Sequence, residues 1–176
     1  SKGAIYHHFK SKEDIILAVL DKQFENHDAE WLRILRENKN MNGLEKLKAI
    51  FLASMRSPRQ EEVFRSAPSM LDNPKMLVLQ LKGIMEETAP MFIQPIIEEG
   101  VKDGSIQTRY PKELAEVILL LINLWVTPMV FPVREDEMEQ RIGFFRQATK
   151  LMGADFLDDE LCDAIRGLVR LYSRDT

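Results

Sequence analysis

The chain has 176 residues, of which 45% are hydrophobic and 30% charged, with a formal net charge of −4. That length and apolar content exclude a disordered chain and leave room for one large or two small domains. The lone cysteine, Cys162, excludes an intrachain disulfide and points to a reducing compartment such as the cytoplasm. Glycine and proline are few, helix formers dominate and no run alternates with period two, so the pattern predicts an all-α fold.

The charge is unevenly placed. Residues 1–12 contain Lys2, Lys10 and Lys12 and no acid, leaving −7 for the remainder. Ile5 and Phe9 stand four apart and share one face of a helix, so the other side chains face outward as a basic, aromatic-bearing surface suited to phosphate-flanked bases. The spelling Ser1-Lys2-Gly3-Ala4-Ile5-Tyr6-His7-His8-Phe9-Lys10-Ser11-Lys12-Glu13-Asp14-Ile15 resembles the recognition helix of TetR-family transcriptional regulators, followed by the start of their next helix. In that family a first helix and the first half of the helix-turn-helix come before this segment, so the chain is expected to start at the recognition helix. The resemblance implies that Ser1, Lys2 and Gly3 lie at the helix start against phosphates or base edges. It further implies that Tyr6 and Lys12 clasp phosphates and that His7 and Ala4 face bases, Ala4 offering only a methyl contact to thymine. His8 either contacts a phosphate or packs against the next helix.

Ser11 can cap the helix that follows. Ile16, Leu20, Phe24, His27, Trp31 and Leu35 recur at steps of three and four, predicting a long helix from about Lys12 to Asn38, broken by Asn38-Lys39-Asn40-Met41-Asn42-Gly43. Leu44, Leu47, Ile50, Phe51 and Met55 predict a second helix ending before Pro58. A third is expected over about Gln60 to Leu71. From Lys75 to about Asp103 the pattern is helical again, with Pro90 and Pro95 forcing a kink or interruption and Gly104 as C-cap.

Pro111 starts a predicted helix to about Val130 that is apolar on nearly every side and must be covered all round. The run Val117 to Val133 is interrupted by Asn123, Thr127, Pro128 and Pro132 and is short for a membrane span, so no membrane partner is expected. Two last helices are predicted, about Asp136 to Met152 and Asp158 to Tyr172, the latter capped by Asp158. The looser spelling of Phe92 to Ala115 also resembles TetR-family effector domains.

The expected organisation is a remnant of a helix-turn-helix DNA-binding domain (residues 1–15), followed by a helical-bundle ligand-binding and dimerisation domain (residues 16–176). By resemblance, the helix from Pro111 and the last helix build a two-fold four-helix interface, with Leu120, Leu124, Leu161, Ile165, Leu168, Val169 and Tyr172 as its apolar contacts. Trp31, Met55, Phe64, Met85, Phe92, Trp125 and Met129 are candidates to line a cavity for a small apolar or amphipathic effector, with core packing as the alternative for each. His27, Arg65 and Glu86 are possible polar anchors, although surface roles suit them as well.

His7 and His8 diverge by about 100° on a helix, which is poor geometry for joint chelation, so neither a metal nor a cofactor is expected. No nucleophile elbow, phosphate loop or paired acids suggest an enzyme. The leading expectation is a homodimeric, ligand-responsive regulator of a DNA operator, most simply a repressor. The alternative is a helical ligand-binding or dimerisation module that does not touch DNA.

Overall fold

The computed structural model describes residues 31–38, 40–66 and 70–173, and all regular structure among them is helical. The chain divides into two compact units, Ser1–Lys39 and Asn40–Thr176. The division falls in the asparagine-rich break that ends the predicted long helix. In the first unit, residues 31–37 are helical and Asn38 closes the turn, its Nδ2 donating to the Ile34 carbonyl at 2.9 Å. The expected helical residues before Trp31 lie outside the described residues.

The second unit begins with α1 (Gly43–Met55), whose first turn is capped three times over. The amides of the first turn of a helix have no partner within it. Here Gly43 N–H donates to Asp103 Oδ2 at 2.8 Å, Leu44 N–H to Ser105 Oγ at 3.1 Å and Glu45 N–H to Asn42 Oδ1 at 2.9 Å. Glu45 returns the contact by accepting from the Asn42 amide at 2.8 Å, completing a capping box.

The helix α2 (Pro58–Ser66) starts two residues earlier than expected, because Pro58 can occupy a first helical position where its missing N–H costs nothing, and residues 67–69 after it lie outside the described residues. A 3₁₀ turn, Met70–Asp72, follows. Asn73 then caps α3 (Pro74–Lys82), with Pro74 again at the first position.

The chain does not break at Pro90. It changes hydrogen-bond register instead: α3 runs into an eleven-residue π-helical segment, π1 (Gly83–Ile93), and on into α4 (Gln94–Asp103). The wider turn absorbs the proline ring that an α-helix interior would exclude. Gly104, at φ 83°, ends the helix in the left-handed conformation expected of it.

The helix from Pro111 is also two-part: α5 (Pro111–Leu120) and a second π segment, π2 (Leu121–Val126). It stops four residues short of the expected Val130. Thr127 is extended (φ −77°, ψ 139°) because the ring of Pro128 crowds a helical residue before it. The chain closes with α6 (Glu135–Leu151) and α7 (Asp159–Ser173), and Asp158 Oδ1 accepts from the Leu161 amide at 3.0 Å as predicted.

α1 packs on α4 and α7, α5 on π1 and α4, α2 on α7, and α6 on π2 and α7. The core between them holds Leu47, Ile50, Ile97, Ile118, Phe145 and Leu161. Phe51 and Phe156 pack with their rings tilted and their centroids 5.1 Å apart.

One end of this bundle is built backbone on backbone. A Cβ on Gly43 would fall well inside contact distance of the Gly100 backbone, and one on Gly100 would strike the Ile106 side chain. Gly153 (φ 95°) faces the carbonyl of Gln107 in the same way, and Gln107 N–H donates to the Gly153 carbonyl at 2.9 Å. Only glycine permits these approaches.

Candidate effector site and dimer surface

At the opposite end lies a separate apolar cluster of Phe64, Met129, Val130, Leu168 and Tyr172, with Met55, Leu77, Leu124 and Leu171 packed half-buried against it. It draws on the last turn of α1, the second half of α2, the start of α3, π2, the loop after it and the end of α7. Thr127 leaving the helix is what brings Met129 and Val130 back over Leu124. Three of the candidate ligand contacts, Met55, Phe64 and Met129, therefore meet in one place.

The other candidates do not join them. Met85 is exposed on π1 and Phe92 is half-buried on the same segment. Trp125 faces α6: its ring meets Phe144 edge-on at 5.6 Å and lies 5.3 Å from the Arg141 guanidinium, which also donates to the Trp125 carbonyl at 2.6 Å. Trp31 is buried but belongs to the first unit. Of the possible polar anchors, Arg65 and Glu86 are exposed, and His27 lies outside the described residues.

Leu77, Val130 and Leu171 were not anticipated, nor was a neutral polar pair close to two of the cluster residues along the chain. Gln80, one turn after Leu77, reaches Asn123 at 3.4 Å, and Asn123 adjoins Leu124. Asn123 is held in place, its Nδ2 donating to the Leu119 carbonyl at 2.9 Å. The signal was present: an asparagine inside an otherwise apolar run has a reason to be there. All nine cluster side chains and both amides are uncharged, which suits an apolar body carrying one neutral hydrogen-bonding group.

Ion pairs tie the start of α7 to α1 and the residue after it. Lys48 Nζ lies 2.5 Å from Asp158 Oδ2 and 3.0 Å from Glu160 Oε2, and Arg56 Nη1 reaches Glu160 Oε1 at 3.0 Å. The hydrogen bonds that Lys48 donates to Asp158 and Glu160 raise its ammonium above its ordinary value, and the Lys48 bond holds Glu160 low. Burial pushes Asp158 upward, but the Lys48 bond and the Leu161 amide outweigh it and leave Asp158 low.

Within a single chain the expected dimer contacts are mostly covered. Leu161, Ile165, Leu168, Val169 and Tyr172 are all covered by their own chain, and Leu168 and Tyr172 wall the cluster. Leu120 and Leu124 are half-buried, Leu124 against that cluster. The apolar surface left open near α7 is on α6: Phe144 is 59% and Leu151 79% exposed. Gly143 on α6 and Gly167 on α7 have open space where a side chain would stand. The expected DNA contacts Ser1, Lys2, Gly3, Ala4, Tyr6, His7, His8 and Lys12 lie outside the described residues.

Comparison with known families decides what this bundle is. Residues 38–148, more than half of the chain, match the family described as Tetracyclin repressor-like, C-terminal domain. The chain belongs to the TetR family. Residues 1–19 match the bacterial regulatory proteins of that family, so the resemblance read from the first fifteen residues holds. This TetR-family chain is thus a DNA-binding transcriptional regulator with an all-α fold. A search of curated proteins found no match. Among the described residues of the TetR-family chain, no helix is long and apolar enough to cross a membrane.

Proposed function

We propose that this chain is a cytoplasmic, homodimeric repressor whose DNA affinity falls when a small uncharged, mainly apolar molecule occupies the cluster around Phe64, Met129 and Tyr172. The observation that carries the reading is the cluster itself. It is a satellite of the main core, assembled from six stretches, four of its members are only half-buried, and the paired amides Gln80 and Asn123 lie within three residues of Leu77 and Leu124 along the chain. A site made of so many elements gives a ligand purchase on most of the bundle at once.

Repression of this kind needs two reading heads in successive major grooves, about 34–36 Å apart. The open face of α6, with Phe144 and Leu151 beside the bare backbone of Gly143 and Gly167, is the surface offered to the second copy. On the DNA side, Ser1, Lys2, Tyr6 and Lys12 serve as phosphate contacts. Effector binding must favour the non-binding state, with a coupling on the scale of about 1–3 kcal/mol.

Titration of operator DNA with the full-length protein at several salt concentrations tests the reading. Each phosphate contact adds about 0.9 to the slope of log affinity against log salt, so Lys2→Ala lowers that slope by about one. An affinity indifferent to salt refutes the DNA contacts. Native mass spectrometry of the purified protein tests the effector arm. A bound neutral molecule displaced by Phe64→Trp supports it, and one retained by that variant refutes this location.

A further inference from the structure

The long helix Pro74–Asp103 joins the two ends of the bundle. Leu77 near its start packs on the apolar cluster, and Asp103 at its last turn caps α1. Its two halves are bonded very unequally. In π1 the hydrogen bonds run from residue i to i−5, as from the Gln94 amide to the Ala89 carbonyl. Pro90 and Pro95 have no N–H, so the segment and its junction with α4 lack two of these donors. Gly83 opens π1, adding the residue with most backbone freedom to lose. π geometry is rare in helices and, where found, tends to mark functional positions.

The α4 half is the opposite case. Gly100 lies against the Gly43 backbone, and Ile106 N–H donates to the Gly100 carbonyl at 2.9 Å. Asp103 and Ser105 hold the amides of Gly43 and Leu44, and Lys46 pairs with Glu99. Ser105 N–H in turn donates to Asp103 Oδ1 at 2.9 Å, so the capping carboxylate is itself fixed.

We infer that π1 is a register hinge: α3 and π1 shift against α4, while α4 and α1 move as one body locked at Gly43 and Gly100. A wide turn can pass its extra residue along the helix, exchanging i−5 for i−4 partners one bond at a time. The part that follows the contents of the cluster is then α3 with π1. The part that keeps its place is the start of α1, four residues after Lys39, where the first unit ends. This device goes beyond the effector reading and holds whether or not the chain takes a ligand.

Amide hydrogen exchange of the full-length protein, read by mass spectrometry, tests it without DNA or effector. Amides in residues 83–93 are expected to exchange about tenfold faster than those in 43–51 and 96–103. Pro90→Ala restores a donor and should slow the 83–93 segment severalfold while leaving the other two unchanged. Asp103→Ala should speed 43–51 and 96–103 together and leave 83–93 as it was. Equal exchange across the three segments overturns the hinge. A response to Asp103→Ala in α1 without α4, or in all three segments at once, overturns the locked body. Should Pro90→Ala fail to fold, the wild-type rates and the Asp103→Ala pattern still decide.

Discussion

Phe144→Lys is the sharpest perturbation of the proposed assembly. In a single chain 59% of Phe144 is exposed, and its aromatic neighbour among the described residues is Trp125, edge-on at 5.6 Å. A phenylalanine side chain presents on the order of 200 Å², so about 120 Å² remains to be covered by a second copy. At about 25 cal/mol per Å² that burial is worth about 3 kcal/mol, and two-fold symmetry places the residue in the interface twice. Not all of the area converts to affinity, and a weakening of two to four orders of magnitude in the dimer Kd is expected. Within the monomer the change costs only the edge contact, about 0.5–1.5 kcal/mol. Sedimentation equilibrium of the wild type and the variant reads the dimer constant, and urea unfolding of the variant reads the monomer. Met91→Lys, at 64% exposure on π1, is the control and should leave the mass unchanged. A dimer of unaltered affinity in Phe144→Lys refutes the assignment of the α6 face. Equal weakening by both variants refutes it too, since any added charge would then suffice.

Two glycines with positive φ should respond differently to alanine. Gly104→Ala meets open space and bears only backbone strain, about 1 kcal/mol, whereas Gly153→Ala also drives a Cβ into the Gln107 carbonyl and should cost about 3 kcal/mol or more in urea unfolding. Phe64→Ala is expected to lower stability by about 3 kcal/mol, because its ring is nearly fully buried among cluster residues from other elements; a loss below 1 kcal/mol would mean the cluster collapses to fill the space. For pH, Asp103, Asp158 and Glu160 are all depressed in the folded chain. Their stabilisation is present above the ordinary carboxylate range and lost as pH falls through the lower folded values, so the urea midpoint should hold near neutrality and drop below about pH 4. Lys48→Met should flatten that drop, and an unchanged acid limb in this variant counts against Lys48 as its source.

Among the described residues, spacing in the sequence was enough to place the helices after Asn42, and the caps at Gly104 and Asp158 follow from residue type alone. Three features were harder to read. Apolar recurrence separates turns of 3.6 residues from strands, but over two or three turns it does not distinguish 3.6 from the wider π turn, so Pro90 read as a kink. The end of π2 at Val126 was readable, because Pro128 forbids a helical Thr127, yet the apolar run hid it. Periodicity also shows which face of α7 is apolar without showing what covers it. Leu161, Ile165 and Leu168 serve their own core, and the open apolar surface is carried by Phe144 and Leu151 on the neighbouring helix. At the cluster, large and flexible residue types picked out Met55, Phe64 and Met129. The same rule also picked Trp125, whose place is set by Arg141, a residue with no apolar signal of its own.

The glycine contacts at Gly43, Gly100 and Gly153 divide the bundle into an end set by peptide geometry and an end set by side chains. Where main chain meets main chain there is no rotamer to adjust, so spacing there is inherited unchanged by any sequence that retains the three glycines. Around Phe64 and Met129 every wall is a side chain, and its volume can be rewritten residue by residue. A designer seeking a new molecular preference for this scaffold can therefore work at one end without redrawing the other.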